Sequence, residues 1–567
     1  MRDMSVNKTN LWIWFLLASA FFLFIAVFLV NNLSGDIHDI VWRFSLTRTH
    51  LQNDWAIPYF TPGRCGGFLL AADAQDFLFT LYLPMTFLIP NVIWAIKIIN
   101  FFLSVLLVAG MYRWLYYFEI KDDRVRLFSS LLISLSGYWV LHMTQAGQIW
   151  AHGLAYMPWV MVFIEEMLLA QPQLSFSYLK RPLILIFLFF LLLNSGYYCL
   201  LIAPFMIAGR LIAEFILSKS GKAQRFQRMI FIILCGLFSI LLSWPRLGGV
   251  YEFQLLKFPR LGNEIGHLQV IGDTLYLLKM LFRSFFDGRI IVESQNSSYL
   301  GSFFEYSNFI GMLSLGALMV GVISIKRLMT LRPFVGLLLA ALVQLALVRT
   351  THAGDLLRYI LPVYKQVTSY WRGSGILLFF LIVILACGYE KMFQQQRKFV
   401  HGLAILLMAG TLAELYMAYR PWLNVDPEPP VSQIFKDTNP VPKPMTRHYA
   451  PCILGNLYGQ RFPPQLSINP VVSVYECKDP NFYNMHDSRR LASSQADGAY
   501  YMKHPWPLWP KTDTADFQKF INFKQVIPLP LRLKIMLWVS SIAWFIYGVC
   551  FLFVTKLRYR QARSGIR

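Results

Sequence analysis

The residues best suited to catalysis are acidic. They lie in the polar segment 34–76, which follows the first apolar run of the chain. Asp36 lies six residues after the end of that run, directly after a glycine, and Asp39 comes three residues later. A carboxylate beside lipid headgroups is partly desolvated, and it can therefore accept a proton from a hydroxyl group. We expect Asp36 to be a general base, although its position is also typical of a helix N-cap. Asp39 is a weaker candidate, because Arg43 four residues later would form an ion pair with it.

Asp73 and Asp76 end the same stretch, and a spacing of three residues places them on one side of a helical turn. They could assist the base, orient an acceptor sugar or bind a divalent cation together with Asp36. A site made only of oxygen ligands favours Mg²⁺ or Mn²⁺. Capping of the apolar segment 77–90 explains the pair equally well.

Three arginines are candidates for binding an anionic group. Arg64 lies in a Gly-rich turn, Arg260 lies in the basic segment 246–307, and Arg372 directly precedes an apolar run. A phosphate leaving group would explain why positive charge collects in these segments. Each arginine also has a structural alternative. Arg64 could belong to a tight turn, Arg260 could contact lipid headgroups, and Arg372 could be a snorkelling anchor at the membrane boundary.

These residues belong to a membrane protein. The 567-residue chain is 56% hydrophobic and 14% charged, with a mean hydropathy of +0.47, whereas soluble domains carry about 25% charged residues. The net charge of +22 arises from short basic segments between apolar runs. That distribution is typical of membrane topology signals, and we expect no nucleic-acid partner.

Apolar runs that could cross a bilayer recur about twelve times. The first is long for a signal peptide and no cleavage pattern follows it, so we interpret it as an uncleaved span. The predicted spans are residues 11–30, 92–113, 127–143, 150–170, 182–197, 198–217, 229–245, 308–325, 333–349, 374–390, 400–418 and 534–555.

The connecting segments alternate in charge and length. Every segment that must share a side with the N-terminus is basic, which places both termini in the cytoplasm. The long segments 32–91, 246–307, 350–373 and 419–533 then lie outside. Within the first of them, Ile37–Leu51 has the pattern of an interfacial amphipathic helix, and residues 77–90 are interfacial or re-entrant.

We therefore predict an all-α polytopic membrane protein. Residues 1–418 form the transmembrane catalytic module, and residues 534–567 form the last transmembrane helix and a basic cytoplasmic tail. Residues 419–533 are rich in Pro, Asn, Asp and Tyr, which predicts a small irregular cap outside the membrane. The cap carries Cys452 and Cys477, a candidate disulfide for which Cys65 is a competing partner. The other cysteines lie in spans, where we expect inert packing: Cys199, Cys235, Cys387 and Cys550.

Roughly residues 10–390 contain a series of short motifs. They are Gly35-Asp36, Trp55 with Pro58 and Pro62, Gly66-Gly67, Ala72-Asp73-Ala74-Gln75, Leu83-Pro84, Ser136-Gly137, Pro158, Pro245, Glu252, Pro259-Arg260, Glu305-Tyr306, Gly311, Tyr370-Trp371-Arg372 and Gly388. In order and spacing they resemble the GT-C superfamily of integral-membrane glycosyltransferases, and within it the bacterial YfhO-like branch. The sequence departs from that branch at Ala74, where a proline is usual, and at Asn194-Ser-Gly-Tyr-Tyr, where a Gly-His-like motif is expected.

The resemblance implies a GT-C-like fold and inverting transfer of a sugar from a polyprenyl-phosphate donor. The reaction would take place on the outer face of the bacterial inner membrane, with a cell-envelope glycan, lipid or protein as acceptor. Asp36 would be the base and Asp73 its helper. The remaining candidates would bind substrate: Trp55, Arg64, Gln75, Asp76, Arg260, Glu305 and Arg372.

Other functions remain as alternatives. A flippase or transporter of lipid-linked glycans would need charges near the bilayer midplane. Charges in the middle of the spans are few, with Lys97 and Glu414 as the examples. A polysaccharide polymerase would also use outer arginines, but neither it nor a catalytically silent scaffold needs an acid after the first span.

Overall fold

The computed structural model describes residues 8–30, 80–89, 91–144, 149–169, 176–196, 199, 201–218, 221–250, 274–288, 307–361, 364, 370–395, 397–423 and 531–563. Within these ranges the regular structure is helical, and none of the described residues forms a strand.

In the first half of the chain the helices are α1 (Lys8–Ile25), continued by the π-helical turn Ala26–Val30, α2 (Tyr82–Leu88), α3 (Val92–Leu115), α4 (Asp123–Leu135), α5 (Gly137–Thr144), α6 (Ile149–Leu169), α7 (Phe176–Asn194), α8 (Ala203–Leu217), α9 (Lys222–Leu242) and α10 (Trp244–Val250). In the second half they are α11 (Thr274–Phe286), α12 (Ser314–Ile323), α13 (Ile325–Leu328), α14 (Arg332–Arg349), α15 (Thr351–Ile360), α16 (Gly375–Gln394), α17 (Lys398–Leu423) and α18 (Leu531–Arg563).

Seven of the described helices are long and apolar enough to cross a membrane, and α4 with α5 makes an eighth if the bent pair is one span. The chain is thus a multi-pass membrane protein. Each of the twelve predicted spans overlaps a described helix. The number of spans stays a prediction, because the remaining helices do not meet the same test of length and hydropathy.

Segments that the charge pattern assigns to one side contact one another. Arg327 forms an ion pair with Glu119 at 2.6 Å. The carboxylate of Glu390 accepts hydrogen bonds of 3.1 Å from the backbone amides of Lys121 and Asp122. Three predicted cytoplasmic segments therefore meet at one end of the bundle, which we call the basic end.

An extended segment, residues 307–311, lies inside the bundle where a regular helix was expected. Its backbone is hydrogen-bonded to neighbouring elements: the Phe309 carbonyl accepts from the Gly137 amide, and the Ile310 amide donates to the Phe285 carbonyl. Gly311 then turns the chain into α12 at φ +94°, a conformation that favours glycine. Non-helical backbone at membrane depth needs such partners, because lipid offers none.

Four charged side chains near the ends of three helices form a buried network that was not predicted. Arg210 of α8 is 1% exposed and binds Glu165 of α6 through two hydrogen bonds, at 2.5 and 2.7 Å. It also donates to Glu214 at 3.0 Å, and Glu214 in turn pairs with Arg332 of α14 at 2.9 Å. We call these four residues the buried charge cluster.

The cluster joins three helices rather than forming a midplane path. Arg210 lies seven residues before the end of α8, which is about 10 Å along the helix axis. Beside it Gly209 and Gly336 bring α8 and α14 into backbone contact, since a Cβ on Gly336 would lie 2.6 Å from the Arg210 Cα. Both carboxylates are paired, so the cluster is a structural clamp and gives no support to the transporter alternative.

We expect the substitution Glu165→Gln to destabilise the protein by about 3–5 kcal/mol, because it leaves the Arg210 guanidinium buried with part of its charge uncompensated. Thermal unfolding in detergent measures the effect. The matched control is Glu119→Gln, which removes the half-exposed pair with Arg327 and should cost less than about 1 kcal/mol. Equal shifts for the two variants would contradict the clamp.

Cys199, Cys235 and Cys387 are buried free thiols, as predicted. Cys550 differs from the prediction, because it is exposed on α18 and not packed. The candidate pair Cys452 and Cys477 lies outside the described residues, as does the amphipathic segment 37–51.

Candidate functional site

Of the residues predicted to form the site, Arg372 is the one within the described ranges. The others lie outside them and stay predictions: Asp36, Trp55, Arg64, Asp73, Gln75, Asp76, Arg260 and Glu305. The structure therefore describes the part of the candidate site that surrounds Arg372.

Arg372 lies in a 3-10 turn, Tyr370–Ser374, that precedes α16. Trp371 beside it is 3% exposed, and Arg372 itself is partly buried. The backbone carbonyl of Arg372 accepts a hydrogen bond of 2.5 Å from the Tyr138 hydroxyl. The Tyr138 ring in turn lies beside the His142 ring, with centroids 4.6 Å apart. Arg372 therefore lies inside the bundle, where a lipid-facing anchor would not be placed.

Side chains from the extended segment fix this turn. The Ser374 hydroxyl donates to the amide oxygen of Asn308 at 2.9 Å, and the amide nitrogen of Asn308 donates to the Ser284 hydroxyl at 2.7 Å. All three residues are fully buried. Hydrogen bonds to Tyr138 and Asn308 thus hold the turn that carries Arg372 on both sides.

A second set of polar side chains surrounds Tyr82, the first residue of α2. The Tyr82 hydroxyl donates to the Asn100 side chain at 2.9 Å and lies 3.3 Å from Nε2 of His152. The Tyr82 and His152 rings also stack, with centroids 4.9 Å apart. Asn100 donates to the backbone carbonyl of Met143, next to His142, at 2.7 Å. The two sets are therefore continuous, and we call Tyr82, Asn100, Tyr138, His142, His152 and Arg372 the polar cluster.

The hydrogen-bond partners assign the protons of both histidines. Burial and the nearby Tyr156 raise the pKa of Tyr82, so its hydroxyl stays protonated and donates to Asn100. His152 Nε2 must then donate to Tyr82, which makes Nδ1 the acceptor. His142 Nδ1 lies 2.5 Å from the Tyr138 carbonyl and must donate to it, which makes Nε2 the acceptor. Both histidines are therefore hydrogen-bonded.

The capping interpretation of Asp73 and Asp76 can be compared with the helix that follows them. In the segment 77–90 the helix α2 begins at Tyr82, and its N-cap position is Leu81, without a side-chain cap. The amide of Tyr82 donates to the Thr80 hydroxyl at 3.3 Å. Asp73 and Asp76 lie outside the described residues, and the capping interpretation of both stays open.

The polar cluster provides one cation and two neutral imidazole acceptors. Nδ1 of His152 is buried and has no hydrogen-bond partner in the described part of the chain. The arginine can bind an anionic group, and the imidazoles can accept hydrogen bonds from hydroxyl groups of the same molecule. The polar cluster contains no carboxylate that could act as a base. The described ranges also contain no group of three metal-ligating side chains. The carboxylates proposed for proton transfer or metal binding all belong to the segment 34–76.

Sequence reasoning missed Tyr82 and Asn100 as parts of the site. Tyr82 is 18 residues from Asn100 and 70 from His152, and none of them forms a recognisable motif. One signal in the sequence could have indicated them. Asn, Tyr and His occur repeatedly near the ends of predicted spans on the predicted outer side, and a polar side chain buried there needs a hydrogen-bond partner.

Replacing Tyr82 by Phe should destabilise the protein by about 1–3 kcal/mol, because it leaves two buried groups, on Asn100 and His152, without a hydrogen bond while keeping the ring stacking. Tyr359→Phe is the matched control, since Tyr359 is 86% exposed and its variant should unfold at the wild-type temperature. A Tyr82→Phe protein as stable as that control would show that the cluster does not fix α2.

Comparison with known proteins gives two similar solved structures. No protein-family model matches the chain, and no curated protein matches it. The archaeal oligosaccharyltransferase AglB from Archaeoglobus fulgidus, in complex with an inhibitory peptide and a dolichol-phosphate, is similar with 12% identity and a TM-score of 0.48 over 76% of this chain and 58% of that one. An Archaeoglobus fulgidus oligosaccharyltransferase in complex with Zn and sulfate is similar with 13% identity and a TM-score of 0.42 over 74% of this chain. The chain spans 58% and 55% of the length of these two structures.

Proposed function

We propose that this membrane protein is a GT-C-type glycosyltransferase. It transfers a sugar from a polyprenyl-phosphate donor to an extracytoplasmic acceptor of the cell envelope, on the outer face of a bacterial inner membrane. The ordered motifs between residues 10 and 390 support the reaction class. The basic segments that meet at one end of the bundle support an active site at the other end.

The observation that carries the proposal is the position of Arg372. It precedes α16, whereas Glu390, near the other end of that 20-residue helix, contacts the basic end. A helix of this length spans about 30 Å, the thickness of the hydrocarbon core. The backbone of Arg372 therefore adjoins the polar cluster at the end of α16 that the charge pattern assigns to the outside, and we propose that its guanidinium holds the departing phosphate.

The chain's own residues would divide the reaction as follows. Asp36 accepts the proton of the acceptor hydroxyl, and that oxygen attacks the anomeric carbon from the face opposite the phosphate. The bond between the anomeric carbon and the phosphate oxygen breaks, and the electron pair leaves with the phosphate. Arg372, Arg260 and Arg64 stabilise the charge that develops there. Inversion at the anomeric carbon is the expected outcome.

The remaining residues would orient the substrates. Asp73 would assist the base, and Asp76 and Gln75 would bind acceptor hydroxyls, with Trp55 and Glu305 completing the substrate contacts. If a divalent cation takes part, Asp36 and Asp73 are its proposed ligands, and Mg²⁺ or Mn²⁺ would supply additional positive charge beside the phosphate.

The test is a transfer assay with the purified protein in nanodiscs. A panel of labelled polyprenyl-phosphate sugars is supplied together with membrane extract as a source of acceptor. We expect label to leave the prenyl carrier for at least one sugar and to appear in product of the opposite anomeric configuration. Movement of the intact lipid-linked sugar between leaflets, without cleavage from the carrier, would instead establish the flippase alternative.

A further inference from the structure

Arg358 was not singled out by any sequence pattern, and its surroundings are unusual. It belongs to α15, which begins after the N-cap Thr350, whose hydroxyl accepts from the Ala353 amide at 3.1 Å. The exposed residues of α15 include Leu356 at 60% and Tyr359 at 86%, beside the polar His352 and Asp355. Arg358 is less exposed, with 16% of its side chain accessible.

The less exposed face of α15 packs on the turn that carries Arg372. The Tyr370 hydroxyl donates to the Gly354 carbonyl at 3.2 Å, and a Cβ added to Gly354 would lie 2.7 Å from the Tyr370 ring. The Arg358 guanidinium lies over that same ring, 5.8 Å from its centroid. Arg358 and Arg372 therefore both adjoin the short turn that contains Tyr370.

The Arg358 guanidinium makes few hydrogen bonds to described residues. Its Nη1 makes a long contact of 3.4 Å with the exposed carboxylate of Asp355. Its Nε and Nη2 are inaccessible to solvent, and within the described part of the chain neither makes a hydrogen bond of good geometry. Among the described arginines it is the one that leaves two such donors unused, and a buried guanidinium in that state is costly unless an anion completes it.

We propose that Arg358, above Tyr370, binds the phosphate group of a membrane lipid. The planar fork formed by Nε and Nη2 matches two phosphate oxygens. The exposed apolar side chains of α15, Leu356, Tyr359 and Ile360, are suited to lie among lipid tails beside that phosphate. This combination favours a phosphate carried by a lipid over a soluble phosphate.

Two lipids share this chemistry, a phospholipid with an anionic headgroup and a polyprenyl phosphate. The phosphate site itself is independent of the function proposed above, whereas its assignment to the sugar donor rests on that function. A binding measurement without any acceptor therefore separates the two, because it reports on the phosphate site even if no sugar is transferred.

The experiment measures dissociation constants by native mass spectrometry for the full chain in a neutral detergent. The probes are polyprenyl monophosphate, phosphatidylglycerol and inorganic phosphate. We expect Arg358→Gln to weaken binding of at least one lipid by 10-fold or more. The matched control is Arg349→Gln, an exposed arginine at the end of α14 that loses the same charge, and it should bind as the wild type does.

The pattern across the probes identifies the ligand. Weakening of both lipids supports a general lipid-phosphate site, and weakening of polyprenyl monophosphate alone supports a donor site. Arg358→Lys keeps the charge without the fork and should bind with intermediate affinity, and it serves as the test if the Gln variant does not fold. Equal lipid affinities for the wild type, Arg358→Gln and Arg358→Lys, or inorganic phosphate bound as tightly as the lipids, would overturn the proposal.

Discussion

Sugar transfer should fall by about 10²–10⁴-fold when Asp36 is replaced by Asn, because removal of a positioned general base has an effect of this size. Asn keeps the shape of the side chain and can still cap a helix, so the alternative N-cap role predicts little change. The initial rate of label transfer from the polyprenyl-phosphate donor, at saturating acceptor, measures the difference.

Asp39→Asn is the matched control for this substitution. Asp39 lies three residues later in the same segment and is expected to pair with Arg43, so its loss should change the transfer rate less than about 3-fold. If both variants transfer sugar at the wild-type rate, Asp36 is not the base and the proposed reaction loses its proton acceptor. If both are equally inactive, the segment has a structural role that is not specific to residue 36.

The second large effect is expected at Arg372. Arg372→Gln should lower kcat/KM for the donor by about 10²–10³-fold, since it removes one preorganised cation from the leaving phosphate. Arg372→Lys keeps the charge but loses the planar fork, so its rate should lie between the two. The Tyr138 hydroxyl bonds the backbone carbonyl of residue 372, so the turn keeps that contact in both variants.

Arg327→Gln is the matched control, because Arg327 carries the same charge at the basic end and is half exposed in its pair with Glu119. Its transfer rate should equal that of the wild type. An Arg372→Gln protein that transfers sugar at the wild-type rate would show that Arg372 does not stabilise the leaving phosphate.

Much of the fold follows from composition and charge alone. A run of about 20 apolar residues has few alternatives to a transmembrane helix, because lipid cannot satisfy free backbone groups. Each predicted span accordingly overlaps a described helix, although α17 continues to Leu423, beyond the predicted end at residue 418. The basic segments that contain Glu119, Arg327 and Glu390 also meet as the charge pattern predicts.

The interior contacts could not be predicted in the same way. Glu165 and Arg210 are 45 residues apart, and a single charge in an apolar run does not indicate where its partner lies. The break between α4 and α5, bent by 46°, depends on the extended segment 307–311, whose Phe309 carbonyl completes the Gly137 amide. The sequence placed residue 308 at the start of a regular span, because its apolar composition gives no sign of these cross-chain hydrogen bonds.

Of the candidate site residues, the structure describes the surroundings of Arg372 alone. Arg372 was selected from its charge and its place before a span, and it lies among buried polar side chains. Tyr82, Asn100 and His152 were not selected together, because their association depends on how α2, α3 and α6 pack. The acidic segment from Asp36 to Asp76 lies outside the described residues, so its role stays a prediction.

The most direct test of the central claim is a cryo-electron microscopy map of the protein in nanodiscs with a non-reacting analogue of the lipid-linked sugar. We expect the phosphate within hydrogen-bonding distance of Arg372, with the Asp36 carboxylate facing the anomeric carbon from the opposite side. A carboxylate at residue 36 that faces away from every cavity would contradict the account. So would a separation of more than about 15 Å from every outward Arg and Lys, since charges that far apart are largely screened.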